Sequence, residues 1–242
     1  MKEHPILFNA DMVKAILEGR KTQTRRVVKK QSIFENEDCK SHRITYFSKS
    51  WGCPCCGAGH ILDTQCPFDK VGDRLWVRET WQAISPEYPP LPIEECDIIY
   101  KATDSHPGFD AYEYAIDMCL SDDYVERIGD ITYPWKPSIH MPRWASRITL
   151  EITNIRVERL QDISEEDAID EGIQEYEGIV DIKCYSGSPV EIHGIRYGKD
   201  CEHEDPINAF EELWDAIYKG TEKSWDNDPW VWVVEFKKVE SN

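Results

Sequence analysis

Gly19-Arg20-Lys21-Thr22-Gln23-Thr24-Arg25-Arg26 is the stretch on which the reading of the whole chain turns. Before it, Met12, Val13, Ile16 and Leu17 recur at helical spacing, Asn9 is a suitable cap and Gly19 a natural stop, so a helix is predicted over about 10–18. After the glycine, Thr22, Thr24, Val27 and Val28 favour extended backbone and predict a strand over 21–28 with an unusually polar start. Lys21, Arg25, Arg26, Lys29 and Lys30 fall within ten residues, whereas the chain carries a net charge of −18. One electropositive segment therefore sits on an acidic body.

Moving outward, Val71-Gly72-Asp73 is a turn into the strand Arg74–Trp81, in which Leu75, Val77 and Glu79 share one side and Trp76, Arg78 and Thr80 the other. Arg147–Leu160 is the clearest strand. Ile148, Leu150 and Ile152 alternate, the phase slips at Asn154, and Ile155 and Val157 resume it, which a bulge explains. Ser164 and Asp167 have capping-box spacing, Ile163 and Ala168 occupy the staple positions, and Gly172 ends the short helix between them. Asp205-Pro206 opens a last helix with Ile207, Phe210, Leu213, Trp214 and Ile217 on one face and Gly220 at its end; a strand over 230–239 follows. Asp97–Lys101 is the one strand expected within the Pro-rich and aromatic stretch 82–144. Residues 31–69 show little periodicity and read as irregular, and 174–204 is a further insertion-like stretch. Strands separated by irregular segments, not by crossover helices, predict an α+β fold: a small mixed β-barrel with flanking helices and long loop insertions.

Composition limits the function classes. At 242 residues, 40% hydrophobic and 31% charged, the chain is globular in composition. No apolar run reaches the roughly 20 residues that span a bilayer. The start, Met1-Lys2-Glu3-His4-Pro5, predicts no secretory signal, and no lipidation motif ends the chain, so a cytoplasmic protein without a membrane partner is expected. Nine Trp and eleven Tyr point to aromatic packing or recognition. The acidic net charge opposes extended phosphate binding and favours a small ligand or local contact.

Three stretches together resemble the ASCH domain family, of the PUA-like barrel class: Gly19–Arg26 as a G-x-K-x-x-T-x-R signature after a helix, Gly72-Asp73-Arg74-Leu75-Trp76-Val77, and Trp232-Val233-Val234-Glu235-Phe236. A fourth, Leu160–Gly172, is similar to the family's strand-to-helix segment. They cover under half of the chain but span it from end to end. The long, aromatic-rich form is similar to ASCH proteins of phages and prophages. The resemblance implies a single ASCH-like domain over 1–242 with its core at about 5–30, 70–82, 146–175 and 205–240, and insertions at 31–69 (Cys-rich), 83–144 (Pro/aromatic-rich) and 174–204. It implies a pocket for a nucleobase, nucleoside or RNA and no organic cofactor. A bacterial 4-acetylcytidine amidohydrolase of the family uses lysine, threonine and glutamate. Those roles fall here on Lys21 as base, Thr24 as nucleophile and Glu171 as acid/base. The insertions and the paired Arg25-Arg26 depart from the family pattern.

Amide hydrolysis needs a nucleophile, a base and an acid for the departing amine. A lysine serves as base when burial or neighbouring cations lower its pKa, and Arg26 can stabilise an oxyanion or hold a phosphate. Arg25, Arg26, Trp76 and Arg78 are the substrate or nucleic-acid candidates. Each has a plainer reading: a phosphate strip without catalysis, a structural threonine, a solvated glutamate, a core tryptophan. In a straight strand Thr24 and Arg26 share a face and Lys21 points to the other, so convergence requires a bend after Gly19.

Five of the nine cysteines lie between Cys39 and Cys66, and Cys53-Pro54-Cys55-Cys56-Gly57 holds a C-x-x-C-G. Cys53, Cys56 and Cys66 with Cys39 are the candidate ligands of a structural zinc; His42, Cys55 and His60 compete for the fourth place, and free thiols are the plain reading. No H-E-x-x-H and no H-x-E with P-C-x-x-C is present, which disfavours a catalytic zinc deaminase. Three function classes stay open: an amidohydrolase on an acylated cytidine, a non-catalytic RNA-binding module, and an acidic phage protein that engages a host nucleic-acid-binding protein.

Overall fold

The computed structural model describes residues 1–29, 44–47, 50–52, 66–85, 90–104, 133–177, 183–186 and 205–239. The elements in chain order are β1 (Glu3–Leu7), α1 (Ala10–Leu17), β2 (Gln23–Val27), β3 (Ile44–Phe47), β4 (Ser50–Gly52), β5 (Arg74–Arg78), β6 (Trp81–Ile84), β7 (Asp97–Tyr100), α2 (Lys101–Asp104), β8 (Thr149–Arg159), α3 (Glu165–Asp170), β9 (Gln174–Glu177), β10 (Lys183–Ser186), α4 (Pro206–Tyr218) and β11 (Trp230–Lys238). The fold is α+β. The chain divides into two compact units, the first comprising Met1–Lys2, Ala15–Arg74 and Leu150–Asn242, the second Glu3–Lys14 and Leu75–Thr149. No helix of the described residues is long and apolar enough to cross a membrane.

In the first unit a sheet runs β4-β3-β8-β11-β2, antiparallel at every pairing. β11 is its axis: Val231, Val233 and Val234 are fully buried, with β2 on one side and β8 on the other. Side-chain alternation puts Val27, Arg25 and Gln23 of β2 in line with Val231, Val233 and Glu235 of β11 on one face. Helices cover that face, and Leu160, Ile163, Ala168, Ile173, Phe210 and Trp214 complete its core. Among the described residues this sheet does not close into a barrel; β2 pairs with β11 alone.

Local chemistry sets the helix boundaries. Ser164 Oγ accepts from Asp167 N at 3.1 Å, Ile163 and Ala168 are buried, and Gly172 follows the helix at φ +102°. Asp205 Oδ1 accepts from Ile207 N at 2.7 Å and Pro206 fills the first turn of α4. The phase slip in β8 is a bulge: Glu235 faces Asn154 and Phe236 faces Ile152, so Thr153 is the extra residue.

The structure also departs from the sequence reading. Strand β2 starts at Gln23, two residues later than predicted, because the Arg20 and Lys21 amides both donate to Ala15 O and the Thr22 amide to Asp170 O. The predicted strand 74–81 is two strands broken at Glu79-Thr80. The stretch read as irregular contains β3, which pairs with β8 at Val157 and Arg156, and the insertion-like stretch contains the hairpin β9-β10.

In the second unit β1 lies beside β5, and β6 and β7 form an antiparallel hairpin with Trp81 opposite Tyr100. Trp81, Ala83, Met141 and Ala145 form the core there. Within residues 83–144 the described portion contains β7 and α2, and its end at 133–145 packs on β6 through Tyr133 N–H to Ala83 O and Lys136 N–H to Trp81 O.

Candidate functional site

Glycine chemistry at two turns builds the site of the first unit. Gly19, at φ +78°, reverses the chain after α1 and delivers Lys21 toward α3. Gly172 leaves α3 by the same device, and a Cβ there would lie 3.1 Å from Ala15 Cβ and 3.3 Å from Lys21 Cβ. Two segments 150 residues apart are thereby pressed together. Lys21 Nζ donates to Glu171 Oε2 at 2.7 Å and to Glu171 O at 2.6 Å.

Arg25 donates to the other oxygen of the same carboxylate, Nη1 to Oε1 at 3.2 Å. Its Nη2 reaches Glu158 Oε1 at 2.7 Å and Asp167 Oδ2 at 3.0 Å. Arg156 extends the cluster, Nε to Glu158 Oε2 at 3.0 Å, Nη2 to Asp167 Oδ2 at 2.7 Å and Nη1 to Glu235. Gln23 Nε2 closes it on Asp167 O at 2.6 Å. Lys21, Arg25 and Glu158 side chains are 0% exposed and Glu171 is 5% exposed, so the charges act in a low-dielectric setting. Burial lowers the Lys21 pKa; the Glu171 carboxylate opposes that shift, and Arg26 and Arg25 add to it. For Asp167 burial raises the pKa, but Arg25 and Arg156 outweigh it and the net shift is down.

Thr24 and Arg26 alternate to the other face of β2 from Arg25, opposite Val234 and Trp232. Thr24 Oγ1 accepts from Arg26 Nη1 at 2.8 Å, and Arg26 also donates to Arg25 O at 3.0 Å. Burial lowers the Arg26 pKa, with Glu171 and Tyr218 opposing it. Of the predicted catalytic residues, the structure joins Lys21 and Glu171 directly. Thr24 is attached to Arg26, which in turn lies within the field of Glu171.

The remaining candidates are placed elsewhere. Trp76 and Arg78 belong to β5 in the second unit, where the Arg78 and Arg143 guanidinium carbons lie 5.5 and 6.0 Å from the Trp76 ring centroid. Cys39, Cys53 and Cys56, with the competing His42, Cys55 and His60, lie outside the described residues. Cys66 is buried, and burial pushes its thiol up to about 11.

The sequence reading missed Glu158, Asp167, Arg156 and Gln23 as members of this cluster. Glu158 and Arg156 were legible only as polar positions in a buried strand, where charges need partners. The arrangement can exchange a proton between Lys21 and Glu171, hold Glu171 between two cations and present a threonine oxygen against a guanidinium. No family model, curated protein or solved structure matches the chain.

Proposed function

We propose that the protein binds a nucleobase or nucleoside at the first unit and, as an ASCH-like amidohydrolase, removes the acyl group from an acylated cytidine. The observation that carries this reading is the 2.7 Å contact between Lys21 Nζ and Glu171 Oε2, with burial lowering the lysine pKa. A lysine whose pKa is lowered gives up its proton more readily and is a better base than a solvated one. In this reading Thr24 Oγ1 attacks the acyl carbon and Arg26, 2.8 Å away, stabilises the oxygen as charge develops. The threonine proton passes to Lys21, then by Glu171 to the departing exocyclic nitrogen as the C–N bond breaks. Water hydrolyses the threonine ester and frees the carboxylic acid. Arg26 is the group that connects Thr24 to the Lys21–Glu171 pair.

A second reading has its own support. The two terminal nitrogens of Arg25 are held by three carboxylates and Lys21 has no exposed side-chain surface, which suits a binding module whose ion cluster organises the pocket without turnover. One experiment separates the two. Purified protein is given 4-acetylcytidine and acetate is measured, with Thr24→Ala, Lys21→Met and Glu171→Gln in parallel and far-UV circular dichroism as the folding control. The amidohydrolase reading expects acetate release by the wild type and a loss of about 10²-fold or more in each variant. A folded wild type that binds the nucleoside and releases nothing establishes the second reading instead.

A further inference from the structure

We infer that the second unit carries a separate surface for single-stranded nucleic acid, formed by β5 and residues 135–144. This inference stands independently of the amidohydrolase reading, because its residues and its readout are different.

The sequence isolates the surface first. Residues 133–149 contain Lys136, His140, Arg143 and Arg147 and no aspartate or glutamate, in a chain whose net charge is −18. The same segment concentrates exposed apolar surface: Trp135 is 38% exposed, Ile139 56% and Trp144 47%. Isolated exposed apolar residues need no explanation, but two tryptophans and an isoleucine within ten residues do.

The structure then orders these groups. Arg78 donates to Ile139 O, which ties the segment to β5, and Arg78 and Arg143 both lie against the Trp76 ring. Lys136 Nζ sits 5.1 Å from the Trp81 ring centroid, and Trp144 meets Trp81 edge-on at 5.8 Å and 83°. Cations and indoles thus alternate along the segment. Arg143 is shared with Glu3 at 2.7 Å and Arg147 with Glu79 at 3.0 Å, so among the described residues the positive charge of this segment rests mainly on Lys136 and Arg78.

This chemistry selects the ligand. A purely apolar partner would strip water from Lys136 and the arginines and return no counter-charge. A polynucleotide supplies both halves: phosphates for Lys136 and Arg78, and bases whose flat faces stack on Trp135 and Trp144. Stacking tolerates any base, so sequence preference is expected to be weak. The acidic body restricts the contact to a short stretch, and neutralising two phosphates gives a salt slope of roughly −1.4.

The test uses the full chain and labelled oligouridine and oligothymidine strands of about twelve nucleotides. Fluorescence anisotropy is followed from about 50 to 200 mM salt. Binding is expected for both strands, with oligouridine favoured only if the ribose hydroxyl is read. The double variant Trp135→Ala/Trp144→Ala should weaken binding about tenfold or more with an unchanged salt slope. Lys136→Gln should flatten the slope by about 0.7. Quenching of tryptophan fluorescence in the unaltered protein gives a readout that does not depend on the variants folding. No binding and no quenching at the lowest salt overturns the inference. So does binding that both variants leave unchanged. Apolar-dye binding that the double variant abolishes, with no oligonucleotide binding, assigns the surface to a protein partner and likewise overturns it.

Discussion

The guanidinium of Arg25 meets Glu158, Asp167 and Glu171 at 2.7, 3.0 and 3.2 Å with no exposed side-chain surface. From the sequence this residue reads as part of a phosphate strip, because Arg25 beside Arg26 is a run of local positive charge. Its three partners come from β8, α3 and the residue that caps α3, more than 130 residues away, and nothing local announces them. Arg25→Met is therefore expected to leave three carboxylates crowded around an apolar side chain. Breaking a buried ion cluster from one side costs roughly 3–5 kcal/mol, which a lowered urea midpoint with an unchanged slope would report. A loss under about 1 kcal/mol would show that the cluster behaves as a solvated surface pair. Lys21 and Glu171, by contrast, were legible as a pair through the resemblance, and they meet at 2.7 Å; the chain does turn after Gly19, but the contact made by Thr24 Oγ1 is with Arg26.

At the scale of elements, α3 illustrates what sequence can specify. Ser164, Ile163, Ala168 and Gly172 mark its two ends through chemistry confined to a few consecutive residues, and each takes its predicted place. Strands β3, β4, β9 and β10 escaped the reading because each is only three or four residues long and owes its existence to a partner strand, which short-range periodicity does not encode. Gly172 joins the two cases. Its left-handed backbone was legible, while the close approach to Ala15 and Lys21 was not. Gly172→Ala should combine positive-φ strain of about 1–3 kcal/mol with displacement of the Lys21 backbone. The expected result is a lower melting temperature and, if the proposed nucleoside pocket is right, weaker nucleoside binding beside the Lys21–Glu171 pair. A variant as stable as the wild type would mean that Ala15 and Lys21 give way to the added methyl more easily than its 3.1 and 3.3 Å contacts imply.

For the molecule as a whole, the net charge of −18 makes pH the natural probe. Self-repulsion weakens as carboxylates are protonated, so mean charge alone predicts that mild acid is tolerated. The buried cluster predicts the opposite. Burial pushes Asp167 up, but Arg25 and Arg156 outweigh it and hold its folded pKa below the ordinary 3.8. The unfolded chain then binds that proton more tightly, so the Asp167 contribution is complete above 3.8 and is lost as pH falls through the lower folded value. Lys21 carries the same sign at the other end: burial lowers it below 10.5, the folded protein releases that proton first, and stability rises with pH between the lowered value and 10.5. Asp167→Asn should therefore unfold at lower urea than the wild type at neutral pH, because Arg25 and Arg156 lose a counter-charge, and the two midpoints should converge as pH falls past 3.8. Urea titrations at a series of pH values decide the matter. Curves that stay parallel across the acid range would place the acid sensitivity in the distributed surface charge and leave the cluster only a geometric role in holding Glu171 against Lys21.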